Sequence, residues 1–351
     1  MDYRLLGRSG LAVSAFALGT MTFGDSTSQE EAFAQLDAFA AAGGTLIDTA
    51  DVYMNGAAET IVGRWLAERP AHVTEPMIIA TKGRFPTSGD PNGQGNSRRH
   101  LQRALDSSLA RLGVETVDLY QLHGWDPLTP VQETLAFLDD AVRAGKIRYS
   151  GLSNFTGWQL QKTSDLAETR DLARPVAFQL QYNLLVREVE WELVPAAESA
   201  GLGLLVFSPL AGGVLTGKYR PDAPAPAGTR LAHPMFGPIF GAKTRQQRTW
   251  DVASTLERVA QERGVTPAQA ALAWVAAREG VSSVLLGART LEQLQGNLAA
   301  SGLVLSPEET AQLDKVGEPF IDYPYGPMAA ALRTREVSGT PRFAAPPAPA
   351  A

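Results

Sequence analysis

Ala41-Ala42-Gly43-Gly44-Thr45-Leu46-Ile47-Asp48 is the stretch from which the fold is read: an amphipathic segment ends on glycine and a short apolar run follows at once. Glycine just past a helix takes the left-handed conformation without a Cβ penalty, and an apolar run of this length suits a strand covered on both faces. The joint recurs at Gly113 before residues 117–121, at Gly145 before 147–151, at Gly201 before 204–207 and at Gly280 before 284–286. Strands expected at 15–18, 77–80 and 176–179 bring the number to eight, with helices between them. Eight successive βα units predict an α/β fold, a (β/α)8 TIM barrel. The rival, a doubly wound sheet binding a nucleotide, would show Gly-x-Gly-x-x-Gly after a strand. No such motif is present, and Gly201-x-Gly203 precedes its strand and reads as a turn.

Helix signals support this reading. Leu101, Leu105, Leu109 and Leu112 line one face of a helix over 98–112. Ser28-x-x-Glu31, Thr266-x-x-Gln269, Thr290-x-x-Gln293 and Ser306-x-x-Glu309 predict helix starts closed by capping boxes, in which a hydroxyl and a later carbonyl oxygen each satisfy a free amide. An N-terminal β-hairpin, residues 4–6 returning through Ala12-Val13, is placed to plug the barrel bottom. After strand 7 a Pro- and Gly-rich stretch from Lys218 to about Phe240 predicts a long lid loop, where barrels often bind phosphate.

The chain has 351 residues, read as one domain over 1–340 and a Pro/Ala-rich tail over 341–351 that is expected to be disordered. Zero Cys removes disulfides, thiolate metal sites and thiol nucleophiles, so catalysis must use oxygen, nitrogen or a bound cofactor. Lys+Arg 31 against Asp+Glu 37 gives a net charge of −6, the wrong sign for a nucleic-acid partner. No apolar run approaches the roughly 20 residues that span a bilayer. Met1-Asp2-Tyr3-Arg4 lacks the opening of a signal peptide, so a cytoplasmic protein without a membrane partner is expected. No feature of the sequence specifies an oligomeric interface.

Chemistry in a TIM barrel sits at the C-terminal strand ends. Those ends carry Gly19-Thr20, Asp48, Lys82, His123, Ser153-Asn154, Gln179, Phe207-Ser208 and Gly287-Ala288-Arg289, with Tyr53 close behind Asp48. An Asp, a Lys and a His facing one mouth must be paired to stay charged there. These residues resemble the aldo-keto reductase superfamily, especially its bacterial members related to potassium-channel β subunits. The stretches Leu46-Ile47-Asp48-Thr49-Ala50-Asp51-Val52-Tyr53, Asp118-Leu119-Tyr120-Gln121-Leu122-His123 and Gly151-Leu152-Ser153-Asn154-Phe155 carry the resemblance, which runs from the hairpin to about Asp314. It implies an NADPH-dependent oxidoreductase that reduces aldehydes or ketones to alcohols, reversibly.

Reducing a carbonyl by hydride requires a proton for the developing alkoxide, and a phenol is a weak acid at neutral pH unless its phenolate is stabilised. Lys82 is expected to lower the pKa of Tyr53, the proton donor. Asp48 is expected to pair with Lys82, and His123 to orient the substrate carbonyl. Thr290 as an N-cap puts Gly287, Ala288 and Arg289 at the positive end of a helix, which favours an anion. By the resemblance that anion is the 2′-phosphate of NADPH, gripped by Arg289, with Gln293 and Asn297 near the adenosine; Gln293 reads equally as a capping partner alone. The resemblance also places Gly19, Thr20, Met21 and Asp48 beside the cofactor and Ser153, Asn154 and Gln179 on the nicotinamide carboxamide. Phe207 either stacks on the nicotinamide or joins the core, while Ser208, Pro209, Leu210, Gly212, Lys218 and Arg230 surround the pyrophosphate.

Phe23, Met54, Phe85 and Trp125 in loops beyond the strand ends, with Met235, Phe236 and Phe240 in the lid, predict an apolar, aromatic-walled substrate pocket for a small carbonyl or alcohol. No metal is implied, because His72, His100 and His233 are scattered among expected loops and His-Glu-x-x-His is absent. Two other functions stay open: a cofactor-sensing regulatory subunit, and an aldolase or lyase forming a Schiff base through Lys82.

Overall fold

The computed structural model describes residues 1–234 and 236–326, the side chains of residues 236, 239 and 240 excepted. Met235, the Phe236 and Phe240 side chains, the expected boundary at 340 and the tail therefore lie outside the described residues. Met1–Gly317 forms one compact unit and Glu318 opens a second, in whose described part the Tyr325 and Gly326 amides both bond to the Asp322 carbonyl.

β1 (Tyr3–Leu5) and β2 (Ala12–Ser14) form the antiparallel hairpin. β3 (Phe16–Gly19), β4 (Leu46–Asp48), β5 (Ile78–Gly83), β6 (Val117–Leu122), β7 (Ile147–Ser153), β8 (Pro175–Gln181), β9 (Gly203–Phe207) and β10 (Val281–Gly287) close into a parallel barrel in the order β10-β3-β4-β5-β6-β7-β8-β9. The expected TIM barrel is present. At its five helix-to-strand joints Gly43, Gly113, Gly145, Gly201 and Gly280 all adopt φ between +67° and +79°, so local backbone demand explains each of them. β5 runs further than its apolar run, because Lys82 pairs in register with Gln121. The polar end of the strand is held by its neighbour even where hydrophobicity stops.

Helix Arg98–Leu112 buries Leu101, Leu105 and Leu112 as its periodicity demands. Capping boxes close at Thr266 and Ser306, and one at Thr156 with Gln159 was not anticipated. The other two expected boxes are only half made. The Ser28 and Thr290 hydroxyls accept from the Glu31 and Gln293 amides, each at 3.3 Å. The Glu31 carboxylate instead takes the Leu291 amide, and the Gln293 side chain takes the Arg289 amide at 3.0 Å. Helices Gln29–Ala41 and Leu291–Leu298 pack together, so a free amide of the neighbouring start competes for Glu31, while Gln293 reaches one residue past its own N-cap. His72 and His100 also depart from expectation: both lie in helices, Ala71–Thr74 and Arg98–Leu112. The lid stretch is irregular through residue 234, and Phe236–Gly241 is helical.

Successive inward positions of a strand alternate with outward ones. Low in the barrel they are apolar: Ala17, Leu46, Ile78, Ala80, Leu119, Ala177, Leu205 and Leu285 form one buried cluster. Leu6 and Val13 of the hairpin complete it from below. The plug is fixed by Arg8 N–H donating to the Gly201 carbonyl (2.8 Å) and by Arg4 donating to the carbonyls of Ala276 (2.6 Å) and Val281 (2.8 Å). Gly7, at φ +58°, passes so near the barrel wall that a Cβ would sit 2.5 Å from the Gly203 nitrogen. One step higher the inward series turns polar, with Asp48, Lys82, Gln121 and Gln179. No helix among the described residues is long and apolar enough to cross a membrane.

Candidate active site

Asp48 closes β4, Lys82 stands at the upper end of β5, and His123 is the first residue past β6, its amide donating to the Gly83 carbonyl at 3.0 Å. Tyr53 opens a tight turn, Tyr53–Gly56, in which Met54 (φ 47°) and Asn55 (φ 52°) are both left-handed. Such strain in side-chain-bearing residues persists only where the surroundings impose it. Here the segment is tied down from below, with the Thr49 amide on the Ala80 carbonyl (2.8 Å) and the Asp51 amide on the Lys82 carbonyl (3.1 Å).

Lys82 is fully buried and donates three ways: to Asp48 Oδ1 at 2.5 Å, to the Thr49 carbonyl at 2.8 Å and to the Tyr53 hydroxyl at 3.3 Å. Burial is the largest single influence and pulls its pKa down, but the charges and hydrogen bonds of Asp48 and Tyr53 together outweigh it and hold the ammonium above its usual value. Asp48 also accepts from Gln179 Nε2 (2.7 Å) and Gln121 Nε2 (3.2 Å). Gln121 was missed by sequence reasoning, although its place two residues before His123 on the same inward face is a usable signal. Gln179 belongs to this network as well, so its amide nitrogen is engaged by Asp48 and only its carbonyl end is left for a ligand.

The expected lowering of the Tyr53 pKa does not occur. Lys82 acts in the expected direction, but burial of the phenolate is the larger effect and the hydroxyl is pushed up from its usual value. Tyr53 therefore keeps its proton at neutral pH. His123 is held well below its ordinary range by burial and then by the Lys82 and Arg84 charges, so it is a neutral imidazole. Its ring meets Tyr53 edge-on at 5.9 Å and Phe85 at 4.7 Å between centroids.

Asp51, two residues before Tyr53 and with its amide on the Lys82 carbonyl, adds a titrating group next to the tetrad. It is buried, and no side chain bonds to its carboxylate oxygens. Burial first and the Glu59 charge second raise its pKa from 3.8 to about 7, against weaker opposing effects of Arg111, the Val52 amide and Lys82. The folded state thus holds a proton that the unfolded state releases, and the stability this contributes is complete in acid and lost as pH rises through about 7. Urea midpoints of the wild type and Asp51→Asn, compared from about pH 5 to about pH 8, are expected to show the wild type losing ground to the variant. Parallel pH dependence of the two would remove this assignment.

Beside the tetrad lies a cavity of about 860 Å³. Ser208, Pro209, Leu210 and Gly212 line it after β9, Gly287 at the end of β10 with Arg289, Gln293 and Asn297 beyond it, Lys218 and Arg230 from the lid, and also Met21 and Met54. Burial, then Arg289 and Arg230, depress the Lys218 pKa, and burial, then Arg289, depresses that of Arg230. Three cations crowding one groove fit an anionic ligand, which would relieve their mutual repulsion. Arg289 also donates to the lid carbonyl of Gly228. Gly213, overlooked in the sequence, lines the groove too, and a Cβ there would lie 2.8 Å from Lys218 Nζ.

The remaining expected residues divide. Ser153 is buried at the end of β7, Asn154 (φ 57°) donates to the His123 carbonyl at 3.0 Å, and Phe207 packs half-buried on the barrel's interior cluster. Gly19 is held in register between Gly287 and Asp48. Thr20 does not face the cavity: it is fully buried and spends its hydroxyl on the Asp48 carbonyl at 3.1 Å. Phe23 leaves the substrate pocket altogether. Its amide bonds back to the Thr20 carbonyl at 3.0 Å, and this turn carries the ring into the core, with no exposed surface. Phe85 lies on His123, whereas Trp125 meets Phe155 and the half-exposed Trp158 at 5.4 Å each.

A family model described as the aldo/keto reductase family matches residues 15–318. The chain is 36% identical over 350 residues to Protein tas of Escherichia coli (strain K12), covering 91% of this chain and 99% of that protein. It is 36% identical over 320 residues to a probable voltage-gated potassium channel subunit beta of Oryza sativa subsp. japonica, covering 90% and 96%. It is also 36% identical over 322 residues to an L-glyceraldehyde 3-phosphate reductase of Escherichia coli O157:H7, covering 90% and 92%.

Proposed function

The chain belongs to the aldo/keto reductase family, and from that premise we propose that it is an NADPH-dependent carbonyl reductase, reversible as an alcohol dehydrogenase, with Tyr53 as the proton donor. One observation carries the reading: a protonated Tyr53 hydroxyl stands 3.3 Å from an ammonium that Asp48 holds at 2.5 Å, at the same mouth as a neutral His123. NADPH when bound supplies the hydride. Lys218, Arg230 and Arg289 would hold its phosphates, and Asn154, Ser153 and the Gln179 carbonyl its nicotinamide end.

His123 is suited to donate a hydrogen bond to the substrate carbonyl oxygen and fix its approach. As charge develops on that oxygen, Tyr53 gives it the hydroxyl proton, and the tyrosinate left behind faces the Lys82 ammonium. Asp48 keeps Lys82 charged and stationary throughout. The same pairing opposes a Schiff base, since a nucleophilic amine must be unprotonated and Lys82 is pushed the other way. A complete proton-transfer set likewise favours turnover over cofactor sensing alone.

The test is NADPH oxidation, followed by absorbance, across aldehydes, ketones and a phosphorylated aldehyde, the last because one relative carries such a substrate in its name. Failure of every compound to be reduced would overturn the reading. Arg289→Ala is expected to weaken NADPH binding about tenfold or more while NADH binding changes little, read as the ratio of the two dissociation constants. An unchanged ratio would take the 2′-phosphate away from Arg289.

A further inference from the structure

The inference concerns the residue two positions beyond Lys82. Arg84 follows β5 at the mouth of the barrel with φ 147°, its carbonyl pinned by the Gly95 amide at 2.8 Å. Its guanidinium lies 4.9 Å over the Phe85 ring, and that ring is the one standing 4.7 Å from His123. Arg84 Nη2 donates to the Trp125 carbonyl at 3.2 Å, while its Nε is buried without a hydrogen-bond partner. A guanidinium has five donors, and of these only Nε is buried without a partner while Nη1 stays accessible, so the outer end of the fork is open to a ligand.

No carboxylate among the described residues bonds to this guanidinium. Arg84 forms no ion pair among the described residues. The acid of the neighbouring loop, Asp126, feels the Arg84 charge, but its oxygens bond instead to the Asn96 amide (2.7 Å), the Leu128 amide (2.9 Å) and the Thr129 hydroxyl (2.6 Å). The charge nevertheless reaches the reacting region, because it is one of the influences that keep His123 neutral.

We propose that Arg84 is a specificity-determining anchor for an anionic group of the substrate, so that the preferred carbonyl compounds carry a carboxylate or a phosphate about one ring's width from the carbonyl. Phe85 sets that distance, lying between the guanidinium and His123, and its face packs the carbon skeleton that joins the two ends of the substrate. A planar fork of donors matches either anion in two-point fashion, which a lysine at the same place would not.

The proposal rests on the reductase reading, and the experiment separates the two. Wild type, Arg84→Met and Arg84→Lys are assayed with benzaldehyde and 4-carboxybenzaldehyde, and with glyceraldehyde and glyceraldehyde 3-phosphate. The wild type is expected to favour the anionic member of at least one pair, the pair that responds identifying carboxylate or phosphate as the anion. In Arg84→Met the anionic-to-neutral ratio of kcat/KM is expected to fall about 10- to 100-fold, with Arg84→Lys in between. An equal loss for both members of each pair, as a merely structural role would give, or no loss at all, overturns the proposal. Equilibrium titration with unreactive 4-carboxybenzamide and benzamide, followed by tryptophan fluorescence, gives a readout independent of turnover. Tighter binding of the acid by the wild type, lost in Arg84→Met, is expected even if every aldehyde proves inert, and equal binding of both probes by both proteins overturns it.

Discussion

Tyr53→Phe is expected to lower kcat for aldehyde reduction by about 10³-fold while NADPH binding stays close to that of the wild type. The substitution removes one oxygen and one hydrogen bond, the 3.3 Å contact from Lys82, and leaves the ring on the surfaces it already covers. Folding should therefore be almost untouched, and the loss falls on proton donation. The raised pKa of the hydroxyl bears on its direction. With the proton retained across the neutral range, reduction needs no prior protonation of Tyr53, whereas alcohol oxidation must first remove that proton and should gain from higher pH. Stopped-flow absorbance of NADPH under single-turnover conditions measures the chemical step directly. A variant within about tenfold of the wild type would end Tyr53's role as the acid.

Asp48→Ala is expected to have the largest effect on stability, about 3–5 kcal/mol by urea unfolding at neutral pH. Removing the carboxylate strands a buried ammonium and leaves the Gln121 and Gln179 amides facing empty space. The cost arises from the uncompensated charge more than from the lost attraction, so the double variant Asp48→Ala/Lys82→Met should recover much of it. If single and double variants are equally unstable, the stranded charge is not the cause.

The barrel was legible because its joints are local. Gly43, Gly113, Gly145, Gly201 and Gly280 answer to the backbone of their own turns, and short unbroken apolar runs announce strands covered on both faces. Asp48, Lys82 and His123 were legible for a related reason: charge at the end of an apolar strand is conspicuous. What escaped the sequence was the choice of partner. Glu31 forms half a capping box in its own helix and then bonds to Leu291, some 260 residues away. Phe23 reads as a pocket residue until a turn swings it inward, and Thr20 stands at the right strand end while its hydroxyl faces a backbone carbonyl. The Tyr53 pKa was misjudged for the same reason. Its shift is a balance between one visible neighbour, Lys82, and the burial supplied by the whole fold.

The hairpin plug has a consequence for proton traffic. With Leu6 and Val13 closing the floor and an apolar layer above them, the packing below Lys82 is hydrophobic and gives water no favourable path from that side. Ser283, a hydroxyl low in the barrel, is already spent on the Ser14 carbonyl at 2.7 Å and starts no relay. A tyrosinate at position 53 must then regain its proton through the same opening by which substrate enters and product leaves. On the proposed reading the order of events follows from this: the alcohol departs, water follows it in, and only then is the acid restored for another cycle.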